Sequence, residues 1–182
     1  MTGTRSHKLE GIKITVNEVR LQLGLHLARL WRYGMVLSRN RDVAEDLVQS
    51  TCVRALERGD QFQSGTRIDR WLFAILYSIW INEIRALRVR QGQGFVDGDE
   101  LSALADVEST EDRHQYHALL QQVSELPEAQ RNTVFLVYVE GFSYQEAANT
   151  LAIPIGTVMS RLAAARLTLA KQLMPTMKKE LK

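Results

Sequence analysis

The chain has 182 residues, 45% of them hydrophobic and 24% charged, with 11 glycines and 3 prolines. That composition fits one or two globular domains and excludes collagen-like and wholly disordered chains. No apolar run approaches the roughly 18–20 residues that span a bilayer, and residues 1–16 lack the apolar stretch of a secretory signal, so no membrane insertion and a cytoplasmic location are expected. The net charge of +2 hides a segregation: residues 1–95 carry 15 basic and 9 acidic side chains, residues 96–130 carry 1 and 9, and residues 131–182 carry 7 and 3. Two basic ends suit a polyanion; an acidic middle would repel the same polyanion or occupy a basic groove on a partner.

Residues 1–16 are expected to form a disordered tail. From Asn17 to Leu37, apolar residues recur at Leu23, Leu27, Leu30 and Leu37, which predicts one long helix capped by Asn17. A second helix is expected to start at Asp42, with Ala44, Leu47, Val48, Cys52 and Ala55 facing a core and Glu45, Asp46 and Gln49 facing outward. Cys52, the single cysteine, rules out an internal disulfide and reads as a small buried hydrophobe rather than a nucleophile. Gly59 to Thr66 is a polar loop containing Phe62. Trp71 to Ile84 is apolar nearly all round, as at the centre of a bundle or where aromatics meet a partner. Asn82, Arg85, Arg88 and Arg90 continue it as a basic face.

Gln91 to Asp112, with Gly92, Gly94, Gly98 and most of the acidic residues, is the best linker candidate. A helical pattern resumes over His117 to Leu126. Another helix is expected from Pro127 through Val134, Phe135 and Val139 to Gly141. Ser143-Tyr144-Gln145-Glu146 is a capping box opening a short helix that ends near Leu151. Pro154 interrupts it, and a second helix starts at Ile155 or Gly156. Two short helices joined by such a turn, sharing Ala147, Leu151, Ile153, Val158 and Leu162, form a helix-turn-helix. Thr157, Ser160, Arg161 and Ala164 are expected on the outer face, where hydroxyls and arginine suit phosphates and base edges. No segment alternates with a period of two, so the fold class is all-α, with two small helical domains joined by an acidic flexible linker.

The segments Asp42-Val-Ala-Glu-Asp-Leu-Val-Gln49, Trp71-Leu-Phe-Ala-Ile75, Leu126-Pro127 with Arg131, Gly141-Phe-Ser-Tyr-Gln-Glu-Ala147 and Pro154-Ile-Gly-Thr-Val-Met-Ser-Arg-Leu162 resemble bacterial extracytoplasmic-function sigma factors of the sigma-70 family, in order and in spacing. The resemblance implies region 2 over residues 17–91, a linker over 92–112, region 4 over 113–176 and a basic tail over 177–182. It implies a promoter-specificity subunit, responsive to stress, whose partners are the β′ and β subunits of core RNA polymerase, promoter DNA and an anti-sigma factor. Glu45, Asp46 and Gln49 match the polymerase-binding positions. Phe62, Ser64, Tyr77, Ser78, Asn82, Arg85 and Arg88 match the face that takes the minus-10 element, where aromatic and amide groups suit unstacked bases. Pro154, Gly156, Thr157, Ser160, Arg161 and Arg166 match the minus-35 reader. Departures at Ala74, Met159 and Ala164, where relatives often carry basic residues, imply fewer phosphate contacts and weak DNA binding by the isolated chain. The acidic segment from Asp97 to Asp112 matches the linker that in the family threads the RNA exit path.

A stand-alone helix-turn-helix regulator is the alternative, though it leaves Trp71 to Arg90 unexplained. An enzyme is disfavoured, because His7, His26, His114 and His117 are scattered and no HExxH, phosphate loop or Gly-x-Ser-x-Gly pattern occurs. No catalytic residue, metal or cofactor is therefore assigned.

Overall fold

The computed structural model describes residues 3–90 and 123–180, with side chains over 16–90 and 123–171. The described residues are helical with no strand among them, and the chain divides into two compact units, Met1–Gly94 and Phe95–Lys182. The expected linker and residues 117–122 of the helix expected over His117 to Leu126 lie outside the described residues.

In the first unit, α1 runs Gly3–Ser38, α2 Arg41–Glu57 and α3 Ile68–Arg90. The first helix therefore begins well before Asn17, which is an interior residue rather than a cap, and it takes in the segment expected as a tail. No proline stands between Gly3 and Asn17 to stop it. The cap expected of Asp42 belongs to Asn40, whose side chain accepts from the Val43 amide at 3.0 Å. Asp42 lies instead in the first turn, where a carboxylate favours the helix dipole.

The turn between α1 and α2 uses Arg39 in the left-handed region (φ 53°). Close to it the two helices approach almost backbone to backbone: a Cβ on Gly34 would stand 3.1 Å from both Cα and Cβ of Ala44. Below that contact, Leu30, Leu47, Leu72 and Leu76 are fully buried, each contributing about 2–3 kcal/mol. Tyr33 stacks on Phe73 with centroids 5.0 Å apart. Val48 and Cys52, expected inside, are only partly covered. The buried set on α2 is Ala44, Leu47, Thr51 and Ala55.

In the second unit, α4 runs Glu128–Val134 and passes into a π-helical turn over Phe135–Val139. Pro127 caps α4 from outside, and the buried Arg131 donates to the Leu126 carbonyl at 2.9 Å. The capping box forms as expected: the Glu146 amide donates to Ser143 Oγ at 3.2 Å, and the Ser143 amide to Glu146 Oε2 at 2.7 Å. It opens α5, Tyr144–Leu151. Ala152 ends α5 in the left-handed conformation (φ 52°, ψ 44°), Pro154 follows, and α6 runs Ile155–Glu180. Ala147, Leu151, Val158 and Leu162 are buried at the crossing, whereas Ile153 is partly exposed.

Candidate functional site

Three exposed faces collect the residues singled out in the sequence. On α2, Asp46 and Gln49 are exposed, and Val53 and Leu56 extend their face one and two turns further as exposed apolar side chains. The spacing of 46, 49, 53 and 56 is that of one helical stripe opposite the buried set. Glu45 departs from it: half-buried, it accepts from Arg41 Nε at 2.9 Å, an i,i+4 pair within the helix. Glu83, on α3, has its carboxyl raised by burial and by the charge of Asp46, so two acids from adjacent helices stand near one another.

The second face lies on α3. Ser78, Asn82 and Arg85 are exposed along one stripe, with Tyr77 and Arg88 half-buried along its flank. The loop at its head is held by one bond within it and one to α1: Thr66 Oγ1 donates to the Gln63 carbonyl at 2.6 Å, and Ser64 Oγ to Glu18 at 2.8 Å. Phe62 does not join this face. It is 3% exposed and its ring lies 5.4 Å from Trp71, so it packs in the unit rather than offering a stacking surface. Trp71, which the sequence left open between a bundle core and an aromatic presented to a partner, is partly exposed, which leaves it as the aromatic group at the loop end of the stripe. Trp80 is buried, in keeping with a core role.

Beneath the loop, Asp69 gathers three arginines. Its carboxylate accepts from Arg67 Nη2 at 3.0 Å, Arg70 Nη1 at 3.1 Å and Arg29 at 3.4 Å, and Arg29 also lies over the Phe73 ring at 5.6 Å. Asp69 is 5% exposed. Burial pushes its carboxyl up, but the Arg67 hydrogen bond and the Arg70 and Arg67 charges outweigh that and hold it below the usual carboxylate range. Neither this cluster nor Trp71 was legible in the sequence, because both depend on which side of the loop faces α1.

The third face is on α6. Gly156, Met159, Ser160, Ala163 and Arg166 are exposed, whereas Thr157, Arg161 and Ala164 are half-buried. The outermost line is thus displaced by one to two residues from the expected one, with Ser160 common to both. Pro154 stands exposed in the turn before it. Among the described residues no group of histidine, cysteine or acidic side chains forms a metal cluster, and no helix is long and apolar enough to cross a membrane.

The chain matches the family model of sigma-70 region 2 over residues 24–90 and that of sigma-70 region 4 over residues 116–169. It is 34% identical over 134 residues to the ECF RNA polymerase sigma factor EcfG of Rhodopseudomonas palustris, covering 74% of this chain and 73% of the relative. It is also 34% identical over 152 residues to SigL of Mycobacterium tuberculosis, covering 79% and 84%. Among solved structures, the sigma factor RpoE of Bartonella quintana, in complex with the anti-sigma factor NepR, superposes with a TM-score of 0.70 at 29% identity, over 86% of this chain and 97% of that one. With both regions in order on helices that present the three faces, the chain belongs to the extracytoplasmic-function sigma factors of the sigma-70 family.

Proposed function

We propose that the first unit joins core RNA polymerase through the α2 stripe of Asp46, Gln49, Val53 and Leu56 and engages the opened minus-10 element through Trp71, Tyr77, Ser78, Asn82, Arg85 and Arg88. The second unit reads the minus-35 element with the start of α6. The observation that carries this reading is the occurrence of the capped helix-turn-helix in the segment matched to region 4, downstream of a region 2 match with two separate exposed faces. A stand-alone regulator is not favoured, since it has no use for region 2. The protein acts in the cytoplasm, where the polymerase works, and has no catalytic chemistry of its own. The Bartonella neighbour was solved in complex with the anti-sigma factor NepR, which supports the reading that an anti-sigma factor holds this chain inactive until a stress signal releases it.

Reconstitution tests the reading. The full chain mixed with bacterial core polymerase should form a holoenzyme that initiates at promoters with minus-10 and minus-35 elements. Asp46→Arg should abolish association while leaving thermal melting near that of the parent. Failure of the parent chain to bind core polymerase would overturn the proposal.

A further inference from the structure

The first two turns of α6 present an unusual surface for a helix expected to meet a polyanion. Its open stripe consists of Gly156, Met159, Ser160 and Ala163 before the first exposed cation, Arg166. Met159 is 49% exposed at the centre of that stripe, and Ile155 is 39% exposed beside its start. A Cβ on Gly156 would meet nothing within 4 Å, so space is open on the side of the stripe nearest the helix start. The opposite side is fixed by Val158, Leu162 and Ala165, all buried, so the helix cannot roll to bring Arg161 outermost without exposing that core.

A base pair in the major groove offers hydrogen-bonding groups and, on thymine alone, an apolar C5 methyl. Methionine cannot donate a conventional hydrogen bond, but its unbranched, polarizable side chain adapts to small apolar groups. We infer that Met159 is a specificity-determining residue that packs on a thymine methyl in the minus-35 element, so that one T·A pair is selected by apolar contact. This inference rests on the reading of α5 and α6 as the minus-35 module. Ser160, whose Oγ already donates to the Thr157 carbonyl at 3.0 Å, keeps acceptor capacity toward a neighbouring base or phosphate-bound water. Arg161 and Arg166 supply charge at the flank and at the end of the stripe.

The test uses reconstituted holoenzyme. Selection from promoters randomised upstream first identifies the minus-35 element. Each thymine in that element, on either strand, is then replaced singly by deoxyuridine, which removes the methyl and leaves every hydrogen-bonding group. At one position the parent holoenzyme should lose about fourfold in affinity, the worth of one buried methyl group. Met159→Ala should lose about as much on the thymine promoter and be indifferent to the deoxyuridine, the non-additivity expected of a direct contact. Met159→Leu, which keeps an apolar side chain of similar volume, should retain sensitivity to the methyl and serves as the control for folding. If no thymine shows methyl sensitivity, or if Met159→Ala keeps it, the inference is overturned while the module reading survives. If selection returns no upstream element at all, the module reading falls and the inference with it.

Discussion

Single residues in both units carry more than their positions in the sequence suggested. Asp69 holds Arg29, Arg67 and Arg70 together, and its depressed carboxyl fixes the sign of a pH effect. A carboxyl that titrates lower in the fold than its unfolded value of about 3.9 contributes fully above that value, and the contribution is lost as pH falls through the folded value. Asp69→Asn should therefore lower stability at pH 7 by about 1–3 kcal/mol, and the gap in melting temperature from the parent should begin to narrow only below about pH 4, as pH falls toward the depressed folded value. Ala152 strains the turn of the helix-turn-helix at φ 52°. Ala152→Gly should raise the stability of the second unit by about 0.5–1 kcal/mol in denaturant unfolding, the relief of left-handed strain exceeding the added freedom of the unfolded chain. Phe62 shows why individual side chains were hard to read. An aromatic in a polar loop can turn inward or outward, and its burial depends on Trp71, nine positions along the chain, whose packing no local pattern announces.

Helices were legible where the apolar period and the capping chemistry coincide, as at Ser143 and Glu146 or through the buried run of α3. Their ends were less so. The cap of α2 moved because Asp42 was as good a local signal as Asn40, and α1 begins before Asn17 because no proline between Gly3 and Asn17 stops the helix. The π-helical turn over Phe135–Val139 was invisible, since one extra residue in a helix leaves an apolar segment looking helical. The α2 stripe yields a prediction of its own. Val53 is exposed and makes no part of the core, so Val53→Asp should leave melting unchanged within about 0.5 kcal/mol. The same variant should weaken holoenzyme formation measured by polymerase pull-down. Loss of fold stability without loss of binding would remove Val53 from that interface.

For the whole molecule, the charge pattern of the sequence remains the guide to the acidic segment, of which residues 96–122 lie outside the described residues. Nine acidic side chains against one arginine over residues 96–130 cannot attract DNA. Replacing Asp97, Asp99, Glu100, Asp106 and Glu108 by neutral residues at constant length should weaken holoenzyme assembly at low salt, with the difference shrinking as salt screens the charges. Equal assembly at low salt would reduce the segment to a tether. The two-unit, all-helical architecture was readable because glycines and acids interrupt the apolar period only once. The close approach of Gly34 and Ala44 also has a mechanical consequence. It lies about 6 Å along α2 from the turn at Asn40, while Leu56 lies about 24 Å away, at 1.5 Å per residue. A methyl at Gly34 would force the contact open by a few tenths of an ångström. With the turn as pivot, that gap is multiplied about fourfold by the time it reaches Leu56. The turn at Asn40 thus acts as the fulcrum of a lever pushed at the Gly34–Ala44 contact, with Asp46 near the push and Val53 and Leu56 far out along the arm. Gly34→Ala should shift the apolar end of the stripe by about 1 Å, enough to loosen its fit to a partner, while moving the acidic end less than half as far.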